Sequence, residues 1–294
     1  MADFWQQENV LIFGAGFSGR AFARLALAAG ATVTGTTRSA EKGEALAADG
    51  ITPLVFDGSI TFDVEAALAQ ASIIVMSIAP GETGDPVLSE LSGALAASPA
   101  HWMAYLSTVG VYGNHDGAWV DEDTAPKPVS TRSIQRVAAE AQWRELADQA
   151  RKPLAILRLS GIYGPGRNGL VNLDMGTARR LVKPGQVFNR IHVHDIARAL
   201  IFLGARQADG IFNVTDDLPA PPQDVVEYAA TLMQCDVPPP IDFETATLSP
   251  MARSFYGENK RVSNAKIKEM GFAFDYPDYR TAFLRMWNED TWRG

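Results

Sequence analysis

Three glycines near the start of the chain are spaced G-x-G-x-x-G, at Gly14, Gly16 and Gly19. An apolar run precedes them, and a helical pattern rich in alanine and leucine follows. In a strand-turn-helix unit the first glycine permits the tight turn, the second lets a diphosphate approach the backbone, and the third lets the helix pack against the sheet. The helix N-terminus adds unpaired N–H groups and a partial positive charge. The spacing therefore predicts that a dinucleotide pyrophosphate binds Gly14, Gly16, Phe17, Ser18 and Gly19.

The end of the second predicted strand, residues 32–36, bears on which dinucleotide binds. Folds that bind NAD usually place an Asp or Glu there, about 20 residues past the glycines, to hold the ribose 2′-hydroxyl. This chain has Thr37 and Arg38 instead. Because arginine supplies a forked and permanently charged set of donors, the pair suits a 2′-phosphate and favours NADP over NAD. Alternatively, Arg38 is a solvated residue near the start of the next helix.

Composition limits the partners of this 294-residue chain. Its 26 lysines and arginines stand against 34 acidic residues, and the net charge of −8 argues against nucleic acid and membrane partners. The single cysteine, Cys235, can form no internal disulfide, and no Cys/His cluster has the spacing of metal ligands. No apolar stretch reaches the roughly 18 residues that span a bilayer. We therefore expect a cytoplasmic, metal-free protein with a small-molecule substrate, and the sequence leaves its oligomeric state open.

Strand-like and helix-like patterns alternate along the first half of the chain. Apolar runs at 51–56, 72–79, 102–107 and 154–159 are separated by helical patterns such as 63–70 and 87–97. This alternation predicts the α/β class, with a doubly wound parallel sheet. Ligands of such sheets lie beyond the carboxyl ends of the strands. Side chains expected at that crevice are Asp57, Ser77, Ile78, Ala79, Ser107 and Thr108, with residues 77–79 beside the nicotinamide half of the cofactor.

The regular alternation ends after about residue 215. Prolines at 219, 221, 222 and 238–240 interrupt the later pattern and indicate a smaller lobe with irregular connections. We expect a dinucleotide-binding domain over 1–160, to which 186–214 returns. Residues 161–185 and 215–294 then form a substrate-binding lobe.

Four separated segments resemble one family, the extended short-chain dehydrogenases/reductases of the NAD-dependent epimerase/dehydratase type. They are 106–113 (LSTVGVYG), 157–167 (LRLSGIYGPGR), 191–197 (IHVHDIA) and 212–214 (FNV). The resemblance covers at least residues 9–215. It implies a Rossmann domain with a small C-terminal substrate lobe, and an activity among those of sugar-nucleotide epimerases, dehydratases and carbonyl reductases.

The resemblance fails at the family's catalytic pair, Tyr-x-x-x-Lys, in which the tyrosine supplies the proton and the lysine lowers its pKa and holds the nicotinamide ribose. The corresponding stretch here is 132–140 (RSIQRVAAE). Aligning Glu140 with the family's glutamate puts Arg132 in the tyrosine position and Arg136 in the lysine position. Thr108 falls where the family keeps its catalytic Ser/Thr. Because arginine is effectively never deprotonated, Arg132 cannot replace the tyrosine as acid or base.

The two arginines stand four residues apart and so share one face of a helix. Facing the crevice, they can bind an anionic substrate or the ribose and phosphates of the cofactor. The alternative is a solvated face, opposite a buried face formed by Ile134, Val137 and Ala141.

Two tyrosines in predicted loops, Tyr112 and Tyr163, are candidate proton donors, and the alternative is that each packs its loop. His192 and His194 are expected on one strand with no third metal ligand, and Asp195 is expected to cap the next helix.

Residues 259–267 (NKRVSNAKI) resemble a closing segment of the same family in which a basic residue helps to hold substrate. Lys260 and Arg261 are therefore candidate substrate-binding residues, and a solvated loop leading into a helix at Asn264 is the alternative.

Two functions follow from these residues. The first is an NADP-dependent oxidoreductase or epimerase/dehydratase-like enzyme acting on an anionic small molecule. In it Thr108 polarises the reacting oxygen, Arg132 or Arg136 positions the substrate, and a tyrosine or water moves the proton. The second is a non-catalytic NADP(H)-binding sensor or scaffold that has lost the proton donor.

Overall fold

The computed structural model describes residues 2–294, which divide into two compact units. Of the described residues, the first unit comprises 2–108, 131–158 and 196–212, and the second comprises 109–130, 159–195 and 213–294. Residues 109–130 and 186–195, which the sequence placed in the first domain, cluster with the second unit. Within 2–294, no helix is both long enough and apolar enough to cross a membrane.

A seven-stranded sheet organises the first unit. Its strands are β1 (Asn9–Phe13), β2 (Thr32–Thr37), β3 (Thr52–Val55), β4 (Ile73–Met76), β5 (Trp102–Thr108), β7 (Leu154–Leu159) and β11 (Gly210–Val214). Their order is β3-β2-β1-β4-β5-β7-β11, and β1 pairs in parallel with both β2 and β4. The chain order reverses between β1 and β4, so the ligand-binding switch point of this fold lies at their carboxyl ends. The predicted α/β doubly wound fold is confirmed.

Helices connect these strands. They are α1 (Ala2–Trp5), α2 (Phe17–Ala28), α3 (Ala40–Ala48), α4 (Phe62–Gln70), α5 (Pro86–Ala97), α6 (Thr131–Ala150) and α8 (Val193–Gly204). Two begin at side-chain caps that the sequence offers, since Thr61 accepts from the Val64 N–H and Asp85 from the Val87 N–H. The predicted helical patterns at 63–70 and 87–97 are confirmed within one residue.

Apolar packing on one face of the sheet joins β1, β4 and β5 to the helices of that face. All four residues of β4, the sequence IIVM, are buried, as expected for a strand that is covered on both sides. The cluster continues through Leu91 and Leu95 of α5 and Trp143 of α6. Burial of this kind fixes α6 against the sheet and thereby sets where its remaining side chains lie.

The second unit is built from short pieces. Its elements are a 3₁₀ turn (Val109–Tyr112), β6 (Trp119–Val120), β8 (Gly161–Tyr163), α7 (Gly169–Asp174), β9 (Arg180–Val182), β10 (Arg190–His192), α9 (Pro222–Met233), β12 (Pro240–Asp242), α10 (Pro250–Phe255), β13 (Arg261–Val262), α11 (Ala265–Glu269) and α12 (Tyr279–Asn288). The strands pair in parallel as β8 with β10, β9 with β12, and β6 with β13. Its main core packs Tyr163, Leu170, Tyr279 and Phe283 together.

Two local predictions are wrong in this unit. Asp195 does not cap a helix at residue 196, because α8 already begins at Val193; its carboxylate accepts the backbone N–H groups of Asp275 and Tyr276 instead. His192 and His194 do not share a strand, since His194 lies in α8.

Candidate functional site

The glycine turn between β1 and α2 has the geometry that a bound diphosphate requires. Gly14 has φ +86°, and a Cβ there would lie 2.8 Å from Ile78 Cγ1 and 3.1 Å from the Ile78 nitrogen. A Cβ at Gly19 would lie 2.9 Å from the Gly14 carbonyl oxygen. A Cβ at Gly16, in contrast, would meet no atom of the described chain within 4 Å. The first and third glycines are thus needed by the fold, and the second leaves open space beside bare backbone.

The same turn is tied to β2 and opens a helix. The Gly14 N–H donates to Thr36 Oγ1 over 2.8 Å, and the Ala15 N–H donates to the Thr36 carbonyl over 3.0 Å. In the described part of the chain, no side chain caps α2 at Gly16. A helix N-terminus that no side chain caps is an anion site, so the turn can hold the pyrophosphate of a dinucleotide.

Thr37 is the last residue of β2 and Arg38 follows it, and neither of them is a carboxylate. Thr37 is half-buried and Arg38 is exposed. Among residues 2–294, Arg38 has no hydrogen bond or ion pair. The guanidinium is therefore not committed to a structural contact and keeps all its donors.

Two further segments named by the sequence follow strands of the sheet. The Ser77 N–H donates to the Phe13 carbonyl over 2.8 Å, which holds residues 77–79 beside the glycine turn at the switch point. Asp57, exposed after β3, accepts the hydroxyl and the N–H of Ser59, and these hydrogen bonds lower the pKa of its carboxyl.

Residues of α6 that face the sheet recur at 136, 140, 143 and 147, the spacing of one helical face. Glu140, Trp143 and Ala147 are buried, and Arg136 is half-buried. The predicted alternative, a buried face of Ile134, Val137 and Ala141, is wrong, since Ile134 and Ala141 are exposed.

Arg136 reaches the carboxyl end of β5. Its Nη1 donates to the Tyr105 hydroxyl over 3.0 Å and to the Leu106 carbonyl over 2.9 Å, and the guanidinium carbon lies 5.4 Å from the Tyr105 ring centroid. Burial raises the pKa of the Tyr105 phenol, so this hydroxyl stays protonated and accepts from the arginine through its lone pairs. Arg136, which the sequence pattern aligns with the family's lysine, is therefore a cation fixed to the strand that carries Thr108.

One turn further along α6, Glu140 forms a buried ion pair. Arg158 on β7 donates through Nε and Nη2 to the two carboxylate oxygens, at 3.2 and 2.8 Å, and the Ser107 hydroxyl donates to Oε1 as well. The Ser107 side chain thus points to α6, which corrects its predicted place in the crevice. Thr108, the next residue, is half-buried. Arg132, at the start of α6, is exposed.

The two candidate tyrosines of the second unit are both buried. The Tyr112 hydroxyl donates to Asn213 Oδ1 over 2.8 Å from the 3₁₀ turn. Tyr163 lies on β8 rather than in a loop, packs edge-on against His192 and Phe283, and has its pKa raised well above the usual value by burial. Both side chains pack within the second unit, and a role of either one as a proton donor stays a prediction.

Lys260 and Arg261 are not part of a solvated loop. Lys260 is buried, and its Nζ donates to the Gly113 carbonyl and to Glu258, each over 2.8 Å. Arg261 donates through Nη1 to the Gly117 carbonyl. Both side chains thus hydrogen-bond to the backbone of the segment that follows the 3₁₀ turn. Their role in substrate binding stays a prediction.

The two histidines do not form the beginning of a metal site. His192 is buried and stacks on Tyr276 with ring centroids 3.8 Å apart, and burial lowers its pKa to about 3. His194 pairs with Asp275. A search of the described residues finds no group of three or more His, Cys, Asp or Glu that could hold a metal ion.

Sequence reasoning missed Tyr105 and the Glu140–Arg158 pair. Tyr105 stands in an apolar run and reads as core, which it also is. The helical spacing of Arg136, Glu140 and Trp143 could have predicted this contact, because it places both charged residues on the same helix face as the tryptophan, which is expected to be buried.

Comparison with known proteins identifies the family of this chain. The sequence profile of the NAD dependent epimerase/dehydratase family matches residues 10–215. No curated protein matches the chain. The solved structure of a functionally unknown conserved protein from Silicibacter pomeroyi DSS is 43% identical, with a TM-score of 0.87, and the match covers 97% of this chain and 99% of the other.

Two further structures share the fold at lower identity. The human epimerase family protein SDR39U1 (isoform 2), solved with NADPH, is 19% identical, with a TM-score of 0.74 and coverage of 95% of this chain and 99% of that one. UDP-glucuronic acid 4-epimerase from Bacillus cereus, solved with NAD, is 15% identical, with a TM-score of 0.75 and coverage of 95% of each chain.

Proposed function

Since the chain belongs to the NAD dependent epimerase/dehydratase family, we propose that it is an NADP(H)-dependent, oxidoreductase- or epimerase-like enzyme that acts on an anionic small molecule. The first unit would bind the dinucleotide. The observation that carries the cofactor half of the proposal is Arg38, which lies exposed and uncommitted at the end of β2.

The cofactor preference follows from charge. An acidic residue at the end of β2 would hold a ribose 2′-hydroxyl and repel a 2′-phosphate. Thr37 and Arg38 instead offer a hydroxyl and a forked cation, which suit the phosphate. One similar structure contains NADPH and another contains NAD, so the choice rests on these two residues of this chain.

The chemistry would differ from that of the family's tyrosine. Tyr105 is the one tyrosine among the described residues of the first unit, and its hydroxyl is buried against Arg136. In the proposed enzyme Thr108 would hydrogen-bond the reacting oxygen, and the charges of Arg132 and Arg136 would stabilise negative charge near it. Water or the substrate's own hydroxyl would carry the proton.

A non-catalytic sensor or scaffold is the second candidate. It is supported by Arg132 and Arg136, which stand at the positions that the sequence pattern assigns to the Tyr-x-x-x-Lys pair, beside an intact glycine turn. Such a protein would bind NADP(H) through the same turn and transfer no hydride.

One pair of measurements tests both candidates. Calorimetry should show NADPH binding more tightly than NADH, and loss of NADPH absorbance should accompany turnover in a panel of carbonyl compounds and sugar nucleotides. Thr108→Val is the matched variant, since it keeps the shape and removes the hydroxyl; turnover should fall while NADPH affinity stays. Binding without turnover across the panel would leave the sensor, and equal affinity for both dinucleotides would contradict the proposed NADP preference.

The proposal also includes a cytoplasmic location without nucleic-acid or membrane partners. It is supported by the single cysteine, which can form no internal disulfide, and by the net charge of −8.

A further inference from the structure

Arg136 has three N–H donors to spare. A guanidinium carries five donors in a planar fork. The Tyr105 hydroxyl and the Leu106 carbonyl take both hydrogens of Nη1. Among the described residues, nothing accepts from Nε or Nη2 of Arg136. The Nε–Nη2 edge, whose two parallel N–H bonds match the two oxygens of a carboxylate, is therefore intact.

The cation is also without a counter-ion. Arg136 is half-buried and makes no ion pair with any residue of the described chain. The acids whose charge acts on its partner Tyr105 are Asp85 and Glu140, and both are engaged elsewhere. Asp85 accepts from Trp143 and from the first turn of α5, and Glu140 pairs with Arg158. Removing a cation from water without a partner costs free energy, which an anionic ligand would offset.

The guanidinium is held rather than mobile. Two hydrogen bonds and the Tyr105 ring fix one edge of the plane, which leaves little rotational freedom to the opposite edge. A preorganised fork loses less entropy when it binds than a free side chain does. A lysine at this position would provide a point charge and no such edge.

We infer that Arg136, positioned by Tyr105, is a bidentate site for a planar carboxylate, so that the substrate is a small carboxylic acid. The inference rests on the proposed function and narrows its anionic substrate to one chemical class. The site lies at the carboxyl end of β5, two residues before Thr108, where ligands of this sheet type bind.

Oxamate is a suitable probe, because it is planar, carries one carboxylate and resembles a small 2-oxo acid without reacting. Oxamide matches its shape without the charge, and inorganic phosphate carries charge on a tetrahedral frame. Calorimetric titrations of the full-length protein, both with saturating NADPH and without it, should show oxamate binding at least about tenfold more tightly than either control. Equal binding of oxamide or phosphate, or no binding of oxamate, would overturn the inference.

Arg136→Lys keeps the charge and removes the fork, so oxamate affinity should fall at least about tenfold while NADPH affinity changes less than about threefold. Arg144→Lys is the matched control on the same helix, since its guanidinium is already paired with Asp209; it should change neither affinity. Tyr105→Phe removes the oxygen that positions Arg136, and it should weaken oxamate but not NADPH.

A parallel loss of NADPH affinity in Arg136→Lys would mean that the arginine holds the cofactor's ribose, which contradicts the inference. Should a variant fail to fold, the comparison of oxamate with oxamide in the wild-type protein still decides the matter. If NADPH does not bind at all, the proposed function is refuted. The titration of oxamate without cofactor still tests the carboxylate site at Arg136, so the two failures can be told apart.

Discussion

The three glycines of the turn after β1 should separate binding from folding when each is replaced. Gly16→Val puts a side chain into the space where no atom of the described chain lies within 4 Å of a Cβ. Folding should therefore change little, by about 1 kcal/mol or less, the range of a substitution at a helix N-cap that meets no clash. The same side chain would push the diphosphate away from the backbone N–H groups. Each hydrogen bond to a charged group contributes about 1.5–3 kcal/mol, so losing two weakens binding on the order of 10²–10⁴-fold.

Gly14→Ala is the matched control, and it should behave in the opposite way. Its φ of +86° is a conformation that costs an L-residue about 1–2 kcal/mol, and the new Cβ would also lie 3.1 Å from the Ile78 nitrogen. Urea unfolding should show Gly14→Ala destabilised by about 2 kcal/mol or more and Gly16→Val close to wild type. Calorimetry with NADPH should show the binding loss in Gly16→Val. If Gly16→Val binds NADPH as wild type does, or unfolds as easily as Gly14→Ala, the assignment of glycine roles is refuted.

Three further predictions concern charged groups. Arg38→Ala should cost NADPH about 1.5–3 kcal/mol of binding free energy and leave NADH unchanged, as calorimetry can check; an equal loss for both would place Arg38 away from the 2′-phosphate. Glu140→Gln should lower the free energy of unfolding by about 3–5 kcal/mol, because it leaves Arg158 charged and buried; a loss near that of an exposed pair, below about 1 kcal/mol, would contradict this. Burial alone would raise the pKa of Asp49, but hydrogen bonds and charge from two arginines of α2 lower it. The ionised Asp49 carboxylate therefore stabilises the fold above about pH 4, and this stabilisation is lost as the pH falls through the folded-state pKa. The stability difference between wild type and Asp49→Asn should therefore shrink on acidification from pH 6 to pH 3, and a difference independent of pH would count against the ion pair.

Local signals were sufficient for the cofactor half of the fold. The run 9–13, the glycine turn and the helix to residue 28 follow from side-chain types within a few positions of one another. The same is true of β4, whose four consecutive apolar residues favour a strand that is covered on both faces. No partner distant in sequence had to be known to predict these elements.

The face of α6 could not be predicted in this way. Apolar periodicity favours Ile134 and Val137 as the buried side, yet Ile134 is exposed and Glu140 is buried. The reason is a partner distant in sequence, because Arg158 on β7 forms an ion pair with Glu140 and offsets the free-energy cost of burying its charge. Apolar periodicity treats every charged residue as solvated, so it gives the wrong buried face where two charged residues form an ion pair in the protein interior.

The same long-range partners explain why arginine is compatible with the position of the family's lysine. The Tyr105 hydroxyl lies on the covered face of β5 and is held in its neutral form by burial, so it can accept a hydrogen bond from a permanent cation without surrendering a proton. A lysine in the family mechanism acts by lowering the pKa of a nearby phenol. Here the phenol of Tyr105 is turned toward α6, and burial raises its pKa although the charge and the hydrogen bond of Arg136 lower it, so the hydroxyl stays protonated. In the proposed enzyme a fixed cation would stand in place of an acid, and it would select a substrate by its negative charge rather than by donating a proton to it.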